Sequence, residues 1–265
     1  MIRAVVLAIF LSLLTSPSLA LTHETGWLGR PIEDVRVAAE AGDAQAQLEM
    51  GLRYYHKRDI KDDAVALAWF KKAAAQGLPG AEYEVATMYA LGEGTPVDYA
   101  QAMIWFRKSV DHGVVKAYLD IGVMYLMGEG VEPDPVEAVR WFRQGAELGD
   151  RECQFWLGMT LRDGKGAPQD YVEAMKWLRA AAAQGHAKAA YALGDMIKAG
   201  HGTEKDLVVG QAWRIMGKYL EAPAGPDGST VVGAILVSPD LTKEQNQQAQ
   251  DYYGRLMEEL GFNQV

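Results

Sequence analysis

The chain has a single cysteine, Cys153, among its 265 residues, so no internal disulfide can form and stability has to come from packing. Serine is scarce and stands in no Gly-x-Ser-x-Gly elbow. The five histidines, His23, His56, His112, His186 and His201, show neither His-Glu-x-x-His spacing nor the clustering of metal ligands. Basic charge is also in short supply. The formal net charge is −9, and without a basic stripe to release counterions neither nucleic acid nor anionic lipid is an expected partner. No low-complexity tract is present, and with 49% hydrophobic residues the chain can bury a core.

Near the start, Arg3 precedes an apolar run from Ala4 to Leu14, and Ser16-Pro17-Ser18-Leu19-Ala20 follows. Ser18 and Ala20 are the small residues expected before a cut ahead of Leu21, so residues 1–20 read as a cleaved secretory signal peptide. The alternative is an uncleaved membrane anchor, for which the run is short. Cleavage removes Arg3, which takes the formal charge from −9 to −10. No cysteine follows the cut, which argues against a lipoprotein anchor. The expected location is periplasmic or secreted, with no membrane insertion after signal cleavage.

What the chain does have is a period. Trp69, Trp105, Trp141, Trp177 and Trp213 are each 36 residues apart, the mark of a stacked array. In the third copy Ala117, Leu119, Ile121, Gly122 and Tyr125 have helical spacing, and Ala138, Trp141, Phe142 and Ala146 mark a second helix. Gly128-Glu129-Gly130 separates the two and Gly149 closes the copy, where a residue tolerating positive φ is wanted. Copies two, four and five carry the same loop at Gly92-Glu93-Gly94, Gly164-Lys165-Gly166 and Gly200-His201-Gly202; copy one lacks it. Gly51, Ala86, Gly122, Gly158 and Gly194 recur in mid-helix, where Gly in place of Ala costs about 1 kcal/mol. Close approach of a neighbouring helix with the tryptophan covering the gap is the expected compensation, which makes the indoles core.

These residues carry a resemblance to the Sel1-like repeat family, relatives of the tetratricopeptide solenoids. It covers residues 38 to 220, through the Ala-x₄-Gly of the first helix, Tyr54, Tyr89 and Tyr125, the Gly-x-Gly loop, the aspartate, Ala-x₂-Trp and the closing glycine. Copies four and five replace the tyrosine with Leu161 and Ile197, and copy five has Gly210 for the alanine and no closing glycine. The resemblance implies an all-α, right-handed α-solenoid of about five helix-pair repeats with capping helices at both ends. It implies a non-enzymatic protein-protein interaction module, an adaptor, scaffold or regulator, with the first helices lining a concave groove. One branch of the family is associated with β-lactams, so the alternative function is a cell-wall or β-lactam hydrolase. That branch pairs cysteines within each repeat, and this chain has neither those pairs nor a Ser-x-x-Lys motif.

Other periodic residues have plainer readings. Asp62, Asp98, Asp134, Asp170 and Asp206 are expected helix caps, and Gln101, Glu137 and Glu173 complete capping-box spacings. Cys153 occupies a position held elsewhere by Ala46, Ala81, Ala117 and Ala189, which fits a small buried side chain. No cofactor or metal is expected.

The resulting domain plan is a signal peptide (1–20), an N-terminal segment with a capping helix from Ile32 to Ala41 (21–42), and the array (43–220). The repeats run over 43–77, 78–113, 114–149, 150–185 and 186–220. An irregular Pro/Gly and apolar segment (221–240) follows, with Val231 to Val237 either helical or strand-like. A closing helix (241–260) opens at Thr242 and Gln245; its alternative role is insertion into the groove of its own or another molecule.

Aligning the copies singles out a variable face on the first helices as the expected partner-binding surface: Glu49, Arg53, Glu84, Met88, Asp120, Met124, Met127, Trp156, Met159 and Met196. Methionines and one tryptophan on such a ridge suit a protein or peptide ligand in the groove, and the acids would favour basic residues.

Overall fold

The computed structural model describes residues 26–57, 60–221 and 237–262. Among them lie twelve helices and no strand. The helices are α1 (Ile32–Glu40), α2 (Ala44–His56), α3 (Asp63–Ala74), α4 (Pro79–Leu91), α5 (Tyr99–Asp111) and α6 (Lys116–Met127). They continue with α7 (Pro135–Glu147), α8 (Arg151–Asp163), α9 (Tyr171–Ala183), α10 (Ala187–Ala199), α11 (Leu207–Glu221) and α12 (Lys243–Glu259). The chain divides into two compact units, one ending at Gly113 and one starting at Val114. In the first unit α2 pairs with α3 and α4 with α5, α3 packs on α4, and α1 covers α2. In the second, α6/α7, α8/α9 and α10/α11 are the pairs, joined by α7 on α8 and α9 on α10, and α12 covers α11. The expected signal peptide and residues 222–236 of the irregular segment lie outside the described residues.

Each second helix starts at one of the five recurring aspartates. Asp62 accepts the Val65 N–H at 3.0 Å, Asp98 that of Gln101 at 2.9 Å, and Asp170 that of Glu173 at 2.9 Å. Asp134 and Asp206 each accept two N–H groups of the first turn. The capping boxes expected at Asp98, Asp134 and Asp170 form in this one direction only. Glu137 turns instead to Arg140, and Glu173 to Arg143 and the Trp177 indole N–H. The reason is that the N–H of each aspartate is already taken by a carbonyl of its own first helix. Asp62 donates to Tyr54 O at 3.0 Å, Asp98 to Tyr89 O at 2.9 Å and Asp134 to Tyr125 O at 2.8 Å. Asp170 donates to Leu161 O at 3.0 Å and Asp206 to Ile197 O at 3.2 Å. The aspartate therefore caps one helix and pins it to its partner. A reciprocal box forms at Thr242 and Gln245, at the head of α12. Asp134→Ala is expected to cost about 1 kcal/mol, read as a lowered urea midpoint.

The seam between the paired helices is not the tryptophan. Trp213 is buried at 3% exposure, but Trp69, Trp105, Trp141 and Trp177 are half-buried. The next residue is the one that disappears: Phe70, Phe106, Phe142 and Leu178 are all at 0%. A β-carbon at Gly51 or Gly122 would overlap the Phe70 or Phe142 ring, and one at Gly158 would lie 2.7 Å from Leu178 Cγ. The mid-helix glycines thus make room for that residue. The indoles lie at the margin of the core, where Lys72 and Lys108 stand 3.9 and 4.1 Å from the ring centroids of Trp69 and Trp105.

Copy five, weakest in its sequence match, departs for a packing reason. A β-carbon at Gly194 would lie 2.6 Å from Gly210 O, and one at Gly210 would lie 2.7 Å from Gly194 O. Backbone meets backbone here, so the alanine of the other copies would not fit. Beyond α11, Leu256 and Met257 of α12 enter the same core as Trp213 and Met216. The Asn246 amide fastens the turn before α12 by donating to the carbonyls of Ser238, Leu241 and Thr242 at 3.0–3.2 Å.

Candidate functional site

The ten residues expected on the partner-binding face do not share one environment. Arg53, Met88, Met124 and Met196, which occupy one column of the repeat, are buried at 5%, 1%, 2% and 2% exposure, and so are Glu49 and Asp120. Glu84, Met127, Trp156 and Met159 are half-buried. As a surface feature, then, the first six are corrected. Met88 belongs to the core with Leu48, Phe70 and Val85, and Met196 to the core with Leu193, Trp213 and Met216. Glu49 is spent on Arg53 at 2.7 Å, and the Arg53 guanidinium also donates to Trp27 O at 3.0 Å. Those charges hold the segment before α1 onto α2 and offer nothing outward.

In the second unit the accessible residues form a band on α6 and α8, which touch each other. Met127 lies at the end of α6. On α8, Trp156 stacks on Phe142 with centroids 5.9 Å apart and planes at 21°, and Phe155 meets Trp156 edge-on at 5.9 Å. Met159 follows one turn later and is half-buried with them. Trp156 therefore has one face on a core ring and part of its surface open. Phe155 belongs to this band and was not expected there. Its signal is the aromatic that stands two residues after the small residue in three copies, Tyr83, Phe155 and Tyr191.

In the first unit Glu84 adds to the negative potential around Tyr55. Burial first, then the hydrogen bond to Glu93 and the charges of Glu93, Glu84 and Asp63, push the Tyr55 hydroxyl well above the ordinary tyrosine range. Burial, then Lys61, pull His56 down. Cys153 is fully buried, and burial ahead of the neighbouring Asp150 pushes its thiol up, the opposite of what a nucleophile needs. Among the described residues no three His, Cys, Asp or Glu side chains are placed to hold a metal ion, and no helix is long and apolar enough to cross a membrane. Among the described residues, the half-buried side chains of α6 and α8 offer contact surface.

A family model described as Sel1 repeat matches residues 44–78, 79–114, 115–150, 151–186 and 187–213. A search of curated proteins found no match. Among solved structures, the chain is similar to a protective antigen present in uropathogenic Escherichia coli strains displaying an SLR fold. Identity is 34% and the TM-score 0.69, over 85% of this chain and 49% of that one, so this chain spans about half the antigen's length. It is also similar to a Sel1 repeat protein from Oxalobacter formigenes at 36% identity and a TM-score of 0.64, covering 72% of this chain and 77% of that one. With five matched repeats and these two likenesses, the chain belongs to the Sel1 repeat family.

Proposed function

We propose that this protein is a non-enzymatic adaptor or regulator that works in the cell envelope or outside the cell by binding another protein. Sel1 repeats typically mediate protein-protein interaction. The observation that carries the reading to a place on this chain is the half-buried apolar band of Met127, Phe155, Trp156 and Met159 on α6 and α8. Aromatic and methionine side chains with part of their surface open are the anchors that protein interfaces use. The Arg3-led apolar run with its small residues before Leu21, and the likeness to a protective antigen, support the exported location.

The test is capture from an envelope extract by the mature chain and by two variants. Trp156→Ala/Met159→Ala removes the band, and Arg179→Ala changes an exposed side chain on α9. The expected result is one partner retained by the parent and by Arg179→Ala and weakened at least tenfold by the double variant, the loss of one anchor's contribution of about 1.4 kcal/mol or more. Equal capture by all three would remove the band from the interface.

A further inference from the structure

The fold divides the methionines into two groups. Met127 at the end of α6 and Met159 on α8 are half-buried in the apolar band, packed with Phe155 and Trp156 against one core. Every other methionine of the described residues is buried, at 7% exposure or less. Met124, on the same helix as Met127, is at 2%, and Met175 on α9 is at 7%. The cysteine sulfur is enclosed as well: Cys153 is at 0%, and burial ahead of Asp150 pushes its thiol up and away from the reactive thiolate. Sulfur that a small oxidant can reach is therefore confined, among the described residues, to the band.

We propose that Met127 and Met159 form an oxidation site: a peroxide converts these two thioethers to sulfoxides ahead of every buried one, and the band then loses its hold on a protein partner. In each conversion the O–O bond of the peroxide breaks and one oxygen bonds to sulfur, which gives up two electrons. With hydrogen peroxide the proton on the transferred oxygen passes to the other oxygen, which leaves as water. The peroxide has to touch sulfur for this, and a buried side chain allows that only when its helices open. The product carries a polar acceptor where an apolar thioether stood. In the free chain that oxygen can turn to water, because both side chains keep part of their surface open, so the fold loses little. Under a partner that covers the band the same oxygen is enclosed beside Phe155 and Trp156, and an acceptor enclosed without a donor weakens the contact. Oxidation thus acts on binding and spares stability. The effect on binding rests on the band being the interface; the order of oxidation does not.

The experiment treats the mature chain with dilute hydrogen peroxide under native conditions and follows each methionine by peptide mass spectrometry. Met127 and Met159 should gain oxygen about tenfold or more faster than Met124 and Met175. The urea midpoint of the oxidised chain should match that of the untreated one. Its capture from the envelope extract should fall about tenfold and return after treatment with methionine sulfoxide reductases of both epimer specificities. Met127→Leu/Met159→Leu keeps the apolar bulk without the sulfur, so its capture should resist the same peroxide. Oxidation of Met124 and Met175 as fast as Met127 and Met159, unchanged capture by a chain oxidised at both positions, or an equal loss in the leucine variant would each overturn the proposal. Untreated Trp156→Ala/Met159→Ala chain separates the two readings: if it captures as well as the parent, the band is not the interface and the effect on binding falls with it, while the oxidation rates still decide the site.

Discussion

Phe142→Ala is expected to destabilise the protein by about 3–5 kcal/mol, whereas Trp141→Ala, one residue earlier and at the repeated indole, should cost roughly 1–2 kcal/mol. Phe142 is at 0% exposure, occupies the space that Gly122 leaves open, and carries Trp156 stacked on its outer side. Removing it opens a cavity between α6 and α7 that the glycine cannot fill and takes the support from the binding band as well. Trp141 is half-buried and meets Tyr118 with ring centroids 5.7 Å apart, so its loss uncovers surface more than it empties a core. Urea titration of the two variants beside the parent chain decides the point. A Trp141→Ala midpoint as low as that of Phe142→Ala would return the seam to the indole.

A 36-residue period reveals local roles and leaves side-chain directions undetermined. Recurrence every 36 positions lets one local role be read across several copies, so the aspartates are legible as caps and the loop glycines as helix ends. What recurrence cannot give is the direction of a side chain. The indole and the residue after it recur together, and only the helix rotation decides which one faces the partner helix. The tyrosine column shows the same limit. Tyr54, Tyr89, Tyr125, Leu161 and Ile197 share the carbonyl that receives the aspartate N–H, a backbone role that their side chains do not announce. A signal for contact between positions was nevertheless present. Gln47 and Gln76 are joined at 2.8 Å, Gln154 and Gln184 at 2.9 Å, and the corresponding pair in copy two is Glu82 with His112 at 2.7 Å. These pairs change together from copy to copy.

The binding face suffered from the same uncertainty in rotation. Variability between copies marked Glu49, Glu84, Asp120 and Trp156 as outward, yet Glu49 and Asp120 are buried. A buried position can vary when its surroundings vary with it. Repeat one has Glu49 neutralised by Arg53, and that pair is used to hold residues before α1, which no other copy possesses. The end of an array is thus a poor guide to its middle. The part of the face that stays accessible in the second unit is the part where α8 carries two consecutive aromatics, Phe155 and Trp156; helical spacing cannot point both of them into one core.

Gly166→Ala should be the most damaging of the loop substitutions, at about 3 kcal/mol, because two costs fall on one atom. Its φ of +81° lies in the left-handed region, which an L side chain enters at about 1–2 kcal/mol. The added carbon would also overlap the carbonyl of Pro135, the first residue of α7 in the preceding repeat. That carbonyl cannot retreat alone, because Asp134 beside it both caps α7 and is pinned to Tyr125 O. Gly149→Ala separates the two costs: its φ is +91° with nothing within 4 Å of the new carbon, so it should cost only the about 1–2 kcal/mol of the backbone conformation. Urea unfolding of both variants measures the difference, which is the contribution of the loop pressing on its neighbour. Equal costs would mean that the second glycine of the loop serves its own turn and has no part in stacking one repeat on the next.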